Sequence, residues 1–233
     1  IGFTIEGCIA AQAAGAHRIE LCDNPGEGGT TPSYGFIKTA RGKLSIELYP
    51  IIRPRGGDFL YSEAEFLIMK NDIAVCKELG CDGVVIGILN PNGTIDKKRC
   101  RELVQLAYPM GVTFHRAFDR VANAMEALED VIEIGCERIL TSGLVPNAMN
   151  GTKLIAKLIQ QAADRIIIMP GSGLRSQNIL QIANETGATE FHTSARTFIK
   201  SNMKFNSPVM NENLQTVAID EEELRKIIEA LSL

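Results

Sequence analysis

Apolar residues along this chain fall into two alternating patterns. Short runs dense in Ile, Leu, Val and Tyr, such as Ile46–Ile52, read as parallel strands buried on both faces. Between them, three- and four-residue spacing predicts helices over Ile5–Ala14, Ser33–Arg41, Ser62–Leu79, Asp96–Tyr108, Ala122–Ile134, Gly151–Ala162, Arg175–Glu185 and Glu221–Leu231. A recurring junction links the patterns: a helical stretch ends in Gly plus a small residue and a strand begins. It occurs in AGAHRIEL, LGCDGVVI, MGVTFHRA, IGCERILT and TGATEFHT, with each glycine expected at a left-handed helix C-terminus. The same register without glycine recurs at Lys43–Leu44 and Ala163–Asp164. Successive junctions are one strand plus one crossover helix apart. Seven of them, with a clipped first strand ending near Ile1, make eight repeats and predict a single-domain (β/α)8 TIM barrel over 1–233. No Gly-rich dinucleotide turn follows an early strand, as an open doubly wound sheet would have. Lys200–Asp220 breaks the rhythm and is expected to be an irregular loop over the barrel mouth.

A barrel of this kind places its chemistry where strands end. The strand from Ile46 runs into Arg-Pro-Arg-Gly-Gly-Asp, an ending no fold needs for stability. Counting by twos along each strand puts Ile51 with Arg53, Glu20 with Cys22, and Thr113 with His115 on common faces, the last two pairs expected to point inward. With His192 and Asp119, these ends make Glu20, Arg53, His115, Asp119 and His192 the candidate catalytic group. Glu20 reads either as the partner of Arg53 or as a general base, and Asp119 either as a cap for the helix at Ala122 or as a functional carboxylate. His115 and His192 read as acid, base or ligand, against the commoner fate of a hydrogen-bonded core histidine.

Arginine offers a planar fork to oxyanions, and Gly-rich turns at helix N-termini expose N–H groups. Arg55, Gly171, Ser172, Gly173, Ser194 and Arg196 are therefore the candidate cradle for phosphate or a sulfate-like anion. Of six cysteines, Cys22 alone is placed at the mouth, where a soft thiolate suits Cu(I). Cys8, Cys76 and Cys100 lie in helical patterns and read as small buried hydrophobes, while Cys81 and Cys136 fall at far-face junctions.

Composition narrows the partners. The 233 residues carry a net charge of −4 with scattered basic positions, which favours neither nucleic acid nor an anionic membrane. Irregularly spaced cysteines without a CxxC pair point to reduced thiols in the cytoplasm.

Taken together, RIELC, GEGGTTPSYG, IIRPRGGDFLYS, DGVVIGIL, VTFHRAFD, RILTSG, IMPGSG and TEFHTSAR resemble the CutC copper-homeostasis family over nearly the whole chain. The resemblance implies a cytoplasmic (β/α)8 barrel, homo-oligomeric, linked to copper tolerance and binding Cu(I) through cysteines. It also implies a cysteine at the end of each of the first two strands. The second matches Cys22, whereas the first aligns at Ile1. Two functional expectations follow: Cu(I) binding or trafficking, and a barrel enzyme or binder acting on a small anionic metabolite, phosphorylated ones included.

Overall fold

The computed structural model describes residues 1–232. Strands β1 (Arg18–Leu21), β2 (Glu47–Pro50), β3 (Gly83–Ile86), β4 (Gly111–Phe114), β5 (Arg138–Thr141) and β6 (Ile167–Pro170) alternate with helices. The helices are α1 (Ile5–Ala13), α2 (Tyr34–Lys43), α3 (Glu63–Glu78), α4 (Lys97–Ala107), α5 (Ala124–Ile134), α6 (Ala148–Ala162) and α7 (Ile179–Thr186). Neighbouring strands pair in parallel, with an Ile51–Val85 bridge joining β2 to β3. Two single-bridge staves complete the ring, Gly2 against Leu21 and His192 against Gly171. The Ile1 amino group donates to the Thr193 carbonyl at 2.9 Å and ties the first stave to the eighth. The architecture is the expected (β/α)8 barrel.

Residues 200–215 have no regular secondary structure, as expected, and the segment departs from an irregular loop only in its last residues, where a strand forms. Strands β7 (Arg196–Ile199) and β8 (Thr216–Ile219) form a short antiparallel ribbon outside the barrel, joined through the irregular residues 200–215. Helix α8 (Glu221–Leu231) follows.

Period-2 alternation sorts the strand side chains into two layers. Ile19, Leu21, Leu48, Ile52, Val84, Ile86, Val112, Phe114, Ile139 and Ile168 point outward into one cluster with the helices. Fully burying a side chain of this size stabilises by roughly 1.5–3 kcal/mol, so this layer holds the ring of helices in place. The alternate positions face inward, where Cys22, Tyr49, Ile51 and Val85 form a separate cluster with Ile1 and Phe3. At the N-terminal end of the barrel, Arg18 and Arg138 lie against the Tyr49 ring, 5.3 and 5.9 Å from its centroid. Glu190 accepts from both guanidinium groups, at 2.6 and 2.8 Å. This cluster plugs that end and leaves the other for chemistry.

Four of the five junction glycines are left-handed as expected, Gly15, Gly80, Gly135 and Gly187, at φ from 72° to 101°. Gly111 is the exception. It lies within β4, and a Cβ there would sit 2.4 Å from the Tyr49 hydroxyl, so close approach rather than a cap requires the glycine. The Ser62–Glu65 capping box at α3 forms as its spacing predicts.

Candidate functional site

Four of the five proposed catalytic side chains lie on the barrel's inner wall. Glu20, Arg53 and His115 are each about 95 % buried. His192 Nε2 lies 2.9 Å from Glu20 Oε2, off the line of a well-formed hydrogen bond. Glu20 thus lies against His192 and not Arg53, so the reading of it as the partner of Arg53 does not hold. Burial works against the Glu20 charge, but His192, the Ile1 amino group and Arg18 together hold its carboxyl below the usual carboxylate range.

Arg53 is occupied by backbone. Its Nη1 donates to the carbonyls of Glu27 and Gly29 at 2.6 and 2.8 Å, and Nη2 donates to Gly57 at 2.9 Å. Its guanidinium lies over Phe59, 5.0 Å from the ring centroid. The guanidinium therefore pins the GEGGTT and RPRGGD loops together, and its Nε–H remains without a partner. Phe59 also packs against His115, with centroids 4.9 Å apart and the ring planes tilted by 45°.

His115 Nδ1 accepts from the Ala117 N–H at 3.1 Å. In the neutral ring the proton then sits on Nε2, which is buried without a partner. Burial, reinforced by the Arg53 charge, pushes the His115 pKa down to about 3, so the ring is neutral near pH 7. Gly87 makes this placement possible, because a Cβ there would lie 2.5 Å from the imidazole. Thr113, on the same inner face, has an unpartnered buried hydroxyl, as Glu20 has an unpartnered Oε1. The interior thus presents three donors, Arg53 Nε–H, His115 Nε2–H and the Thr113 hydroxyl, and one carboxylate acceptor. Sequence reading named Thr113 only as a facing neighbour and passed over Phe59 and Gly87, which carry no reactive group.

Asp119 stands apart from this group. Its Oδ1 accepts from the Thr141 hydroxyl at 2.5 Å, Ser142 N at 3.0 Å and Leu144 N at 3.2 Å. Its Oδ2 accepts from Arg116 Nε at 2.7 Å and the Ser142 hydroxyl at 2.9 Å. Asn123, not Asp119, caps α5. Asp119 fastens the turn after β4 to the end of β5.

The expected anion cradle is dispersed. Arg55 donates to Leu60 O at 2.6 Å and pairs with Asp58 at 2.9 Å within its own loop, and donates to Glu65 of α3 at 2.6 Å. Gly171 serves as the bridge partner of His192, and the Ser172 hydroxyl donates to Pro146 O at 2.7 Å. A Cβ on Gly173 would meet the Asn147 amide at 2.1 Å. Ahead of α7 the Ser176 N–H and hydroxyl donate to the Glu223 carboxylate at 2.8 and 2.9 Å, so a protein carboxylate holds the position an anion would take. Arg196 lies over Phe3, 5.1 Å from its centroid, with a buried Nε that has no partner; neighbouring Ser194 is half-buried.

Cys22 points inward and is fully buried, and burial followed by the Glu20 charge raises its thiol pKa. Cys8 belongs to the outer, helix-facing cluster, across the barrel wall from Cys22. Among the described residues no group of three or more His, Cys, Asp or Glu side chains is placed to hold a metal ion. The single buried thiol of Cys22 does not make a multi-ligand site for a resident metal. A cleft of about 830 Å³ runs along the wall between β1 and residues 188–195, from the Arg18, Arg138 and Glu190 cluster as far as Glu20 and His192, with Leu224 and Ile228 on its outer side.

The fold and its inner wall define a (β/α)8 barrel with a buried polar group at the C-terminal ends of its strands. Comparison with known proteins then identifies the family. The CutC family model matches residues 3–197. A family protein CutC from Chromobacterium violaceum is 54% identical over 202 residues, covering 87% of this chain and 82% of that protein. The human copper homeostasis protein cutC homolog is 48% identical over 202 residues, covering 87% and 74%. The crystal structure of CutC from Streptococcus agalactiae superposes with a TM-score of 0.73 at 38% identity, covering 75% of this chain and 87% of that one. The chain belongs to the CutC family.

Proposed function

We propose that this chain acts in copper homeostasis, the role named for its human relative at 48% identity. That kinship carries the reading. Its chemical side is Cu(I) binding or trafficking, with Cys22 as the thiol offered by the barrel interior. A single buried thiolate of raised pKa suits transient contact better than tight capture. Two measurements test the reading. Cells lacking the chain should change in copper tolerance and recover when it is restored; unchanged tolerance refutes the role. Cys22→Ser should remove Cu(I) contact inside the barrel, and unaltered binding at that position takes Cys22 out of the account. The cytoplasmic location and homo-oligomeric state belong to the same reading, and light scattering of the pure protein tests the second.

A second reading is favoured by the unpartnered buried atoms on the inner wall. Buried polar groups are nearly always paired, so Glu20 Oε1, Arg53 Nε, Thr113 Oγ1 and His115 Nε2 support a bound polar molecule in this space. Two N–H donors and a hydroxyl facing one carboxylate suit a small anionic metabolite whose oxygens take the donors and whose hydroxyl meets Glu20. A neutral imidazole N–H beside a carboxylate base is also a pairing able to polarise a carbonyl and move an adjacent proton. Sulfate or phosphate should raise the melting temperature of the wild type, and Arg53→Ala should abolish that rise. No rise in the wild type counts against the pocket.

A further inference from the structure

The turn that follows β1 is held by two arginines, and neither is fully used by holding it. Residues 25–29 read Pro-Gly-Glu-Gly-Gly, and the turn closes on itself: the Glu27 and Gly29 N–H groups both donate to the Asn24 carbonyl, at 3.1 and 3.3 Å. It lies against the inner wall, since a Cβ on Gly29 would sit 3.2 Å from the Cys22 sulfur. Arg53, which follows β2 on one side of β1, donates to the Glu27 and Gly29 carbonyls. Arg196, which follows the eighth stave on the other side, donates through Nη1 to the Pro25 carbonyl at 3.5 Å. Each guanidinium lies over a phenylalanine, Arg53 over Phe59 and Arg196 over Phe3, and Phe3 packs with Cys22 in the inner cluster. Each keeps a buried Nε–H without a partner. The one acid of the turn does not supply it, because the Glu27 carboxylate accepts from the Gly57 N–H at 3.3 Å.

We infer that the barrel mouth binds a small molecule with an anionic oxygen group at each end, one end on Arg53 Nε–H and the other on Arg196 Nε–H, beneath the turn. The site rests on the reading of the inner wall as an anion pocket and narrows it to a two-ended dianion. A dicarboxylate and a phosphorylated carboxylate are two sources of that chemistry. The carbonyls that hold the two guanidinium groups are neutral, so both keep their charge, and a buried charge with an unfilled donor favours an oxyanion over water. A single oxyanion fills one of the two donors, which stand on opposite sides of β1. Between them lies Glu20, whose free Oε1 repels a third negative group and accepts from a hydroxyl. The middle of the ligand therefore carries a hydroxyl, with the His115 Nε2–H and the Thr113 hydroxyl left to its remaining oxygens. Because the turn and the two rings already fix both arginines, little ordering remains to be done on binding.

The pure protein would be titrated calorimetrically with malate, 3-phosphoglycerate, lactate and inorganic phosphate. The tighter of the two-ended probes, malate or 3-phosphoglycerate, should bind at least about tenfold more tightly than lactate or phosphate, and which of the two it is identifies the source. Arg53→Lys and Arg196→Lys keep the charge but remove the Nε–H, and each should weaken that probe by at least about tenfold, down to the level of the one-ended anions. Circular dichroism checks that each variant folds. Wild type labelled with ¹⁵N-arginine gives a readout on the intact site: the Arg53 and Arg196 Nε–H signals, each missing from its own lysine variant, should shift together as the probe is added. Equal affinity for one-ended and two-ended anions, or a shift of one signal alone, overturns the inference and leaves the anion pocket standing. Absence of binding by all four probes, inorganic phosphate included, overturns both.

Discussion

Replacing Asp119 with alanine separates architecture from chemistry at the barrel rim. The carboxylate accepts from three side chains and two backbone N–H groups, and Thr141 and Ser142 are wholly buried. Alanine would leave the Ser142 and Leu144 N–H groups and the Thr141 hydroxyl without this acceptor. A buried donor stripped of its partner costs about 1–3 kcal/mol. Two or three such donors, less some relief by entering water, amount to about 4 kcal/mol, within the range for breaking a buried network. For a domain of this size each kcal/mol shifts the melting temperature by roughly 2–4 °C, so a fall of about 12 °C is expected. Urea unfolding followed by circular dichroism should show the lower midpoint with an unchanged slope. A loss below about 1 kcal/mol would refute the claim that this carboxylate holds the rim together. If ligand binding were abolished while stability stayed intact, Asp119 would return to the catalytic group.

Three further outcomes follow from the same geometry. The His115 pKa of about 3 lies below its ordinary 6.5, so the unfolded chain binds the extra proton first as pH falls. The stability this group confers is complete above pH 6.5 and is lost progressively toward pH 3, at up to about 1.4 kcal/mol per unit. Unfolding free energies from urea titrations should therefore fall from pH 6.5 to pH 5 by about 1.6 kcal/mol more in the wild type than in His115→Gln; parallel curves would refute the buried neutral ring. Gly151→Ala would ordinarily strengthen α6 by about 1 kcal/mol, but the new Cβ would lie 2.0 Å from the Ser142 carbonyl oxygen. Overpacking should win, with a net loss of about 1–3 kcal/mol by urea unfolding; a more stable variant would show that α6 can retreat from the β5 turn. Arg53→Lys keeps the charge but loses the fork that gathers three carbonyls, so limited proteolysis should open the loop spanning residues 25–31 first. A cleavage pattern identical to the wild type would mean that the loops hold each other without it.

The amino-acid sequence by itself determined the repeat. Helix and strand periods, the glycine-marked junctions and the Ser62 capping box are local properties of the chain, and their regular order leaves a closed eight-stave barrel as the economical solution. Alternation along each strand likewise placed Glu20, Arg53 and His115 on the inner wall, because period two is a property of the strand and not of its neighbours. Tertiary structure decided what those groups touch. Glu20 meets His192 because closure of the ring brings the eighth stave beside β1, and a contact between residues so far apart in sequence leaves no trace in local spacing. Arg53 reads as an anion clamp until two loops bring three carbonyls to it. The α7 N-terminus reads as a phosphate site until α8 delivers Glu223 from the far end of the chain. Hydrogen-bond partners are set by closure of the ring, where residues distant in sequence compete for the same donors, and that competition is resolved only when the chain is folded.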